Sequence, residues 1–206
     1  MISPQTYGPR EEQTSSSAPA LKRSLDIVVS LSLMLLLLPL LLALAVLVRL
    51  TSPGGALYWS DRVGLNNRIF RMPKFRSMRV EAPQLATHLL IDGASYLTPV
   101  GHILRRSSLD ELPQLWCVLR GELSLVGPRP ALFNQDDLIE LRTLAGVHRF
   151  RPGVTGWAQV NGRDELSIPR KVELDLEYIH RCSLWFDLLI VWKTLSKVLR
   201  MEGIHH

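Results

Sequence analysis

An uncharged stretch from Ile27 to Val48 constrains the fold of this chain more than any other feature, and it contains Pro39 near its middle. About 22 apolar residues are enough for one transmembrane helix. A proline inside a helix removes one backbone hydrogen bond and clashes with the preceding turn, so it kinks or breaks the helix. Each half is then about 11 to 12 residues, or roughly 17 Å, which is too short to cross about 30 Å of hydrocarbon.

Basic residues flank this stretch on both sides. Positively charged flanks favour the cytoplasmic side of a membrane, and a single crossing cannot place both flanks there. A helical hairpin over residues 21–50, broken at Pro39 and dipping into one leaflet, satisfies both flanks. On these grounds alone the re-entrant hairpin and a simple spanning anchor both stay open. The flanking cations are Lys22, Arg23, Arg49, Arg62, Arg68, Arg71, Lys74, Arg76 and Arg79.

The rest of the chain divides into a tail and a globular domain. Residues 1–20 are rich in Ser, Pro, Gln and Glu, which predicts disorder because little apolar surface is available for burial. Residues 51–206 carry strand and helix patterns typical of a folded domain. Two strands joined as a hairpin are predicted over Ala56–Val63 and Asn67–Phe75, and helices over Leu112–Leu119, Leu132–Leu144, Ile168–His180 and Ser183–Met201. The last helix fits the membrane interface and a protein core equally well.

The composition narrows the classes of partner. A formal charge of +5 and a pI near 9.6 suit nucleic acid, anionic lipid or phosphate-bearing substrates. The arginines lie in turn-like segments beside Pro or Gly, which favours phosphate clamps and argues against nucleic acid. Cys117 and Cys182 are far apart and lie in no metal-binding spacing, so neither a disulfide framework nor a zinc site is predicted.

The segment from Arg105 to Leu115 carries the sharpest signal for chemistry. Pro113 predicts that a regular helix begins close to Asp110, which places Asp110 and Glu111 at its N-terminus with Arg105 just upstream. Such an end attracts anions, and carboxylates beside an anion site suit covalent phosphoryl chemistry. The alternative is purely structural, because Ser108 and Glu111 have the spacing of a helix capping box.

Three further segments present cations on stiff or tight backbone. Pro128 and Pro130 lie on either side of Arg129 and restrict the backbone there. A guanidinium on such a stiff turn is suited to bidentate binding of phosphate. Arg151 and Arg163 stand at opposite ends of a turn-rich ribbon, and Lys74 and Arg76 lie at the end of a predicted strand. Together with Arg105 and Arg129, these four cations are the predicted phosphate-binding residues. Taken alone, Arg129 is also consistent with a solvated loop arginine.

Together these segments resemble the monotopic phosphoglycosyl transferases, also called bacterial sugar transferases. The resemblance covers about Leu21 to Gly203. The matching blocks run in family order: Lys22-Arg23-x-x-Asp26, Pro39, Asp61-Arg62-Val63-Gly64, Lys74-Phe75-Arg76-Ser77-Met78, Ser108-Leu109-Asp110-Glu111-Leu112-Pro113-Gln114-Leu115, Ser124-Leu125-Val126-Gly127-Pro128-Arg129-Pro130 and Pro152-Gly153-Val154-Thr155-Gly156. Two positions depart from the family pattern, with Glu122-Leu123 in place of Asp-Met and Ser60 in place of a glutamine.

The resemblance implies an α+β fold, a mostly helical monotopic membrane protein with a broken re-entrant helix, a small β-hairpin and interfacial amphipathic helices. It places the protein on the cytoplasmic face of the bacterial inner membrane, among membrane lipid, and allows a homo-oligomer.

It also implies the chemistry. Asp110 attacks a UDP-sugar, expels UMP and keeps a phospho-sugar, which undecaprenyl phosphate then accepts. Mg²⁺ contacts Asp110, Glu111 assists, and Arg129 and Arg163 contact phosphate. The competing hypothesis is a membrane-anchored basic protein without catalytic activity.

Overall fold

The computed structural model of the protein describes residues 17–83, 93–162 and 165–200. It is 60% helical with a small antiparallel sheet, which confirms the predicted mixed and mostly helical fold. The α-helices are α1 (Ser17–Leu36), α2 (Leu38–Thr51), α3 (Gly101–Arg106), α4 (Leu115–Arg120), α5 (Asp136–Leu144), α6 (Trp157–Val160), α7 (Ile168–Arg181) and α8 (Leu184–Arg200). The strands are β1 (Leu57–Val63), β2 (Ile69–Phe75), β3 (Ser124–Val126), β4 (Ala131–Leu132) and β5 (Gly153–Thr155).

The predicted hairpin supplies two of the three strands of the larger sheet, with β1 in the centre. Strands β1 and β2 pair antiparallel with Leu57 opposite Phe75. The turn between them contains Asn66 and Asn67 with φ values of 54° and 58°, a left-handed conformation that asparagine tolerates better than most residues. Strand β4 pairs with the other edge of β1, Val63 opposite Ala131. Because β4 follows the Pro128-Arg129-Pro130 turn directly, this pairing brings the turn next to the hairpin.

The apolar segment is broken, and the break lies at Leu37 rather than at Pro39. Helix α1 ends at Leu36, and Pro39 lies in the first turn of α2, where a missing N–H costs nothing because that group has no helical partner anyway. The regular helix ends before the proline because its ring crowds the preceding turn. Helix α1 begins at Ser17, inside the stretch 1–20 that the composition predicts to be disordered.

The two halves of the broken segment are bent by 62° relative to each other. In the described residues no single helix is long and apolar enough to cross a membrane, although Ala20–Leu36 and Leu38–Thr51 reach that length and hydropathy as a pair. Large apolar side chains on both halves lie exposed, among them Leu36 at 75% and Leu50 at 80%.

Helix α1 is held to the domain by the Lys22-Arg23-x-x-Asp26 block. The buried Asp26 carboxylate accepts hydrogen bonds from the Ser124 hydroxyl at 2.7 Å and the Leu125 N–H at 3.2 Å. Lys22 forms an ion pair with Asp187 of α8. The Arg23 guanidinium donates to the Leu119 carbonyl at 3.2 Å. The block therefore docks α1 on β3, α4 and α8.

The C-terminal helix has one buried face and one exposed face. On one face, Phe186 and Ile190 are buried against Val126 and Tyr178. On another face, Trp185 is 81% exposed and Trp192 is 68% exposed. Helix α8 is therefore amphipathic, with a core-packing side and an exposed aromatic side.

Candidate active site

The carboxylates Asp110 and Glu111 lie in a 3-10 helix, Leu109–Gln114. The prediction that a regular α-helix begins close to Asp110 is therefore wrong. Proline disfavours the α conformation in the residue before it, so regular α-helix begins only after Pro113, at Leu115. Ser108 has a φ of 56° and makes no side-chain cap, which removes the capping-box alternative. The sharp left-handed turn at Ser108 starts the segment that carries both carboxylates.

Two cations from distant parts of the chain converge on Glu111. The Lys74 ammonium, from the end of β2, lies 2.7 Å from Oε1 of Glu111. The Arg129 guanidinium donates to the same oxygen through Nη2 and to Oε2 through Nη1 at 3.4 Å. Glu111 is thus clamped between the hairpin and the Pro-Arg-Pro turn.

Burial and nearby charges shift the pKa values of the two neighbouring carboxyl groups in opposite directions. Burial raises the pKa of Asp110 to about 6, with Lys74 opposing that shift and the Glu111 charge adding to it. Burial would also raise the pKa of Glu111, but Arg129 and Lys74 hold it well below its usual range. Burial lowers the pKa of Lys74, and Glu111 counteracts this. Two adjacent carboxyl groups with separated pKa values are suited to different roles.

The contacts of the two carboxylates differ. The two cations that engage Glu111 favour its ionised form and fix its side chain between β2 and the Pro-Arg-Pro turn. Asp110 is 6% exposed, and in the described residues no side chain donates a hydrogen bond to it. A carboxylate with a raised pKa is more basic, and a more basic oxygen is a better nucleophile. Arg105 also contributes a nearby positive charge at Asp110.

The Pro-Arg-Pro turn is held through its carbonyl groups, because neither proline has an N–H to donate. The Pro128 carbonyl accepts from the Gly153 N–H at 2.9 Å. The Arg129 carbonyl accepts from Nη1 of Arg142 at 2.7 Å. The Pro130 carbonyl accepts from Nη1 of Arg62 at 3.3 Å. Three consecutive carbonyls therefore each have a donor, which fixes the backbone from which Arg129 reaches Glu111.

The Pro152-Gly153-Val154-Thr155-Gly156 block supports this turn from behind. Strand β5 pairs parallel with β3, and the Gly127 N–H donates to the Thr155 carbonyl at 2.9 Å. A Cβ added to Gly153 would lie 2.1 Å from the Gly127 nitrogen, and one added to Gly156 would lie 2.1 Å from the Gly127 carbonyl oxygen. Glycine is required here because two backbone segments cross in contact.

Two of the arginines that we expect to bind phosphate, Arg76 and Arg151, donate hydrogen bonds to backbone carbonyl groups. Nη1 of Arg76 donates to the Pro53 carbonyl at 2.6 Å, in the linker after α2. Nε of Arg151 donates to the Gly121 carbonyl at 2.8 Å. Burial and the nearby Arg23 charge lower the pKa of Arg151. In the described part of the chain neither arginine contacts the carboxylate pair. Arg163, the last of the predicted cations, lies outside the described residues.

Sequence reasoning gave no role at the site to Ser60 or Arg62, and it missed Arg142 and Asp175. Ser60, 2% exposed, accepts from Nε of Arg62 at 3.0 Å, and so orients a side chain that holds the turn. Arg142 and Asp175 form a buried ion pair beneath the same turn. The sequence did carry a signal for Asp175, because it lies three residues from both Val172 and Tyr178 and so on the apolar, buried face of the helix. A carboxylate on such a face indicates a buried partner.

Comparison with known proteins identifies a family and several similar sequences. A family model described as bacterial sugar transferase matches residues 17–201. The UDP-N-acetylgalactosamine-undecaprenyl-phosphate N-acetylgalactosaminephosphotransferase of Aeromonas hydrophila is 40% identical over 204 residues, covering 94% of this chain and 48% of that protein. The UDP-glucose:undecaprenyl-phosphate glucose-1-phosphate transferase of Escherichia coli K12 is 41% identical over 186 residues, covering 86% of this chain and 40% of that protein.

A shorter relative matches along most of its length. The uncharacterized sugar transferase EpsL of Bacillus subtilis 168 is 40% identical over 184 residues, covering 89% of this chain and 90% of that protein. The chain therefore spans less than half the length of the first two relatives and most of the third.

Proposed function

The chain belongs to the bacterial sugar transferase family, and we propose that it moves a phospho-sugar from a UDP-sugar to undecaprenyl phosphate and releases UMP. One observation carries the proposal: Asp110 and Glu111 stand side by side in a shared field of cations, but only Glu111 is clamped by Lys74 and Arg129. That arrangement leaves Asp110 as the carboxylate able to attack. The names of the first two relatives, which act on undecaprenyl phosphate, support the choice of substrates.

The reaction proceeds in two displacements at one phosphorus. First, a carboxylate oxygen of Asp110 attacks the sugar-bearing phosphorus, the bond to the bridging oxygen breaks, and UMP leaves with the electron pair. Second, a phosphate oxygen of undecaprenyl phosphate attacks the same phosphorus and expels the Asp110 carboxylate. The product is a sugar-diphospho-undecaprenol, and the enzyme is restored. Splitting one transfer into two steps is the usual advantage of a covalent intermediate.

Three cations contribute to this reaction in two ways. Lys74 and Arg129 neutralise Glu111 and stand at the rim of the site, where their side chains are 17% and 34% exposed. They are placed to bind the phosphate oxygens on which charge builds during transfer. Arg105, on the segment leading into Ser108, adds positive charge beside Asp110.

The donor set fits Mg²⁺. The described residues contain no group of three or more His, Cys, Asp or Glu side chains placed to hold a metal ion. Mg²⁺ does not need one, because it commonly binds through one or two carboxylates together with phosphate oxygens and water. Asp110 has carboxylate oxygens to offer. When bound, Mg²⁺ would neutralise charge on the diphosphate and on the leaving UMP.

A direct assay tests this function. Purified protein, incubated with a panel of UDP-sugars, undecaprenyl phosphate and Mg²⁺, should release UMP with at least one donor, and release should depend on the acceptor after the first turnover. With donor alone, intact-mass analysis should show one phospho-sugar adduct per chain. A protein that binds donor but yields neither UMP nor adduct with any sugar would contradict the proposal.

We also propose that α1 and α2 form a re-entrant hairpin on the cytoplasmic face of the inner membrane. The 62° bend and the exposed apolar side chains on both halves support it, as do the exposed Trp185 and Trp192 on α8. Tryptophan is enriched where protein meets the membrane interface. A bend between two short helices allows both ends of the segment to lie on the same side, which a straight spanning helix does not.

Replacing Pro39 with Leu should move part of the population to a spanning state. Leucine at this position restores a helix hydrogen bond and removes the clash, a local gain of about 3 kcal/mol toward a straight helix. Lys22 and Arg23 resist crossing, so we expect a mixed population. The measurement is labelling of a cysteine at position 14 by an impermeant maleimide, with Cys117 and Cys182 replaced.

The wild-type tail should label only after cell lysis, and the Pro39→Leu tail partly in intact cells. Leu42→Ala is the matched control, because Leu42 is an exposed apolar residue of the same helix and its loss leaves the proline in place. Labelling of the wild-type tail in intact cells would favour the simple spanning anchor.

A further inference from the structure

The buried ion pair between Arg142 and Asp175 joins two helices beneath the Pro-Arg-Pro turn. Arg142, on α5, is 8% exposed, and Asp175, on α7, is 1% exposed. Nε and Nη2 of Arg142 both donate to the same carboxylate oxygen of Asp175, at 2.9 and 2.6 Å. The remaining terminal nitrogen, Nη1, donates to the carbonyl of Arg129 at 2.7 Å. One buried guanidinium therefore connects an anchoring carboxylate to the turn.

Stability alone does not account for this pair. Removing two charges from water is costly, and well-packed apolar residues of similar volume usually serve stability as well or better. The geometry of the third hydrogen bond suggests a different role. A guanidinium is a planar fork, so two bonds to Asp175 fix the direction in which Nη1 points. That direction ends on the Arg129 backbone.

The Arg129 backbone is where such a constraint has the greatest effect. Pro128 and Pro130 offer no N–H, so the position of the turn depends on donors that reach its carbonyl groups. The side chain of Arg129 continues to Glu111, beside Asp110. A shift of the Arg129 carbonyl therefore moves the guanidinium that clamps the carboxylate pair, and small displacements of positioned groups have large effects on catalysis.

We propose that Arg142, held in place by Asp175, is a positioning residue that sets Arg129 against Glu111 for phospho-sugar transfer. The inference rests on the proposed function for its catalytic consequence. Its structural part, the tether between Arg142 and the turn, does not. In the described residues neither side chain is hydrogen-bonded to Asp110 or Glu111, and the path from Arg142 to the carboxylate pair runs through Arg129.

A double-mutant cycle tests this coupling. Arg142→Lys keeps the charge and the pair with Asp175, but a single ammonium cannot reproduce the fork that also reaches Arg129. We expect Arg142→Lys to slow adduct formation about tenfold, a coupling usual between contacting residues. In an Arg129→Ala background, Arg142→Lys should slow adduct formation less than about twofold. Both rates are measured in single turnover at high enzyme concentration. Equal factors in the two backgrounds would overturn the proposal.

Hydrogen exchange gives a readout that does not depend on catalysis. In Arg142→Lys the backbone amides of segment 126–132 should exchange faster than in wild type, while the β1–β2 hairpin should be unchanged. Unchanged exchange in segment 126–132 would overturn the tether. Wild-type protein that releases no UMP would instead defeat the proposed function, and the exchange result would still decide the tether.

A second variant covers the case in which Arg142→Lys does not fold. Arg142→Met with Asp175→Leu replaces the whole pair by apolar side chains, and we expect a melting temperature no lower than wild type. Its rate should still fall about tenfold or more, because the tether is gone. A folded double variant with wild-type rate and wild-type exchange would contradict the proposal. Arg170→Lys is the matched control, an arginine of an exposed pair on α7, and should change neither readout.

Discussion

Asp110→Asn should abolish both the phospho-sugar adduct and the release of UMP. An amide is a far poorer nucleophile than a carboxylate, and loss of covalent catalysis should cost at least about 4 kcal/mol, or roughly a thousandfold in rate. Asparagine has nearly the same size as aspartate, so the buried site should stay folded. The measurement is intact-mass analysis after incubation with the UDP-sugar, before any undecaprenyl phosphate is added, together with the rate of UMP release.

Asp137→Asn is the control for Asp110→Asn. Asp137 is an exposed carboxylate in the first turn of α5, so its loss should leave adduct and rate unchanged. The hypothesis of a basic protein without catalytic activity makes the opposite prediction, that Asp110→Asn is silent. An adduct of unchanged mass and yield in Asp110→Asn would show that another residue is the nucleophile.

Arg129→Lys should reduce the rate of adduct formation roughly a hundredfold, although the charge is kept. The Arg129 guanidinium reaches both oxygens of Glu111 from a backbone fixed by two prolines. An ammonium forms a point contact and cannot span both oxygens or grip a phosphate with two parallel bonds. Single-turnover kinetics over a range of donor concentrations measures the effect, and we expect a lower limiting rate as well as weaker donor binding.

Arg149→Lys is the matched control for Arg129→Lys. Arg149 is exposed and lies in the 3-10 helix Val147–Arg149, so the same replacement there should leave the rate within about twofold of wild type. A near-wild-type rate for Arg129→Lys would mean that Arg129 acts only as a positive charge. That outcome would also remove the reason for a tether from Arg142.

Features governed by near neighbours in the chain were predictable. The broken apolar helix follows from Pro39, and the structure moves the break by only two residues, to Leu37. The β1–β2 hairpin follows from two strand patterns around an asparagine turn. The error at Asp110, where a 3-10 helix replaces the expected α-helix, also has a local cause in Pro113.

The choice of partners for the cations was not predictable from local pattern. Lys74, Arg76, Arg129 and Arg151 look alike as cations in turn-rich segments, yet only Lys74 and Arg129 reach Glu111. Arg76 and Arg151 donate to backbone carbonyls instead. The resemblance to a family correctly predicted that the chain belongs to it, but it did not distinguish these four side chains.

The sequence by itself determined the break in the apolar helix, the adjacency of Asp110 and Glu111, and the stiffness of the backbone at Arg129. Each depends on proline sterics or on chain neighbours, which act over a few residues. Only the tertiary structure decided that Lys74 and Arg129 engage Glu111 rather than Asp110. That difference depends on burial and on the charges of Arg129 and Lys74, which lie 18 and 37 residues from Glu111 along the chain. A local sequence pattern does not specify which distant segments come into contact.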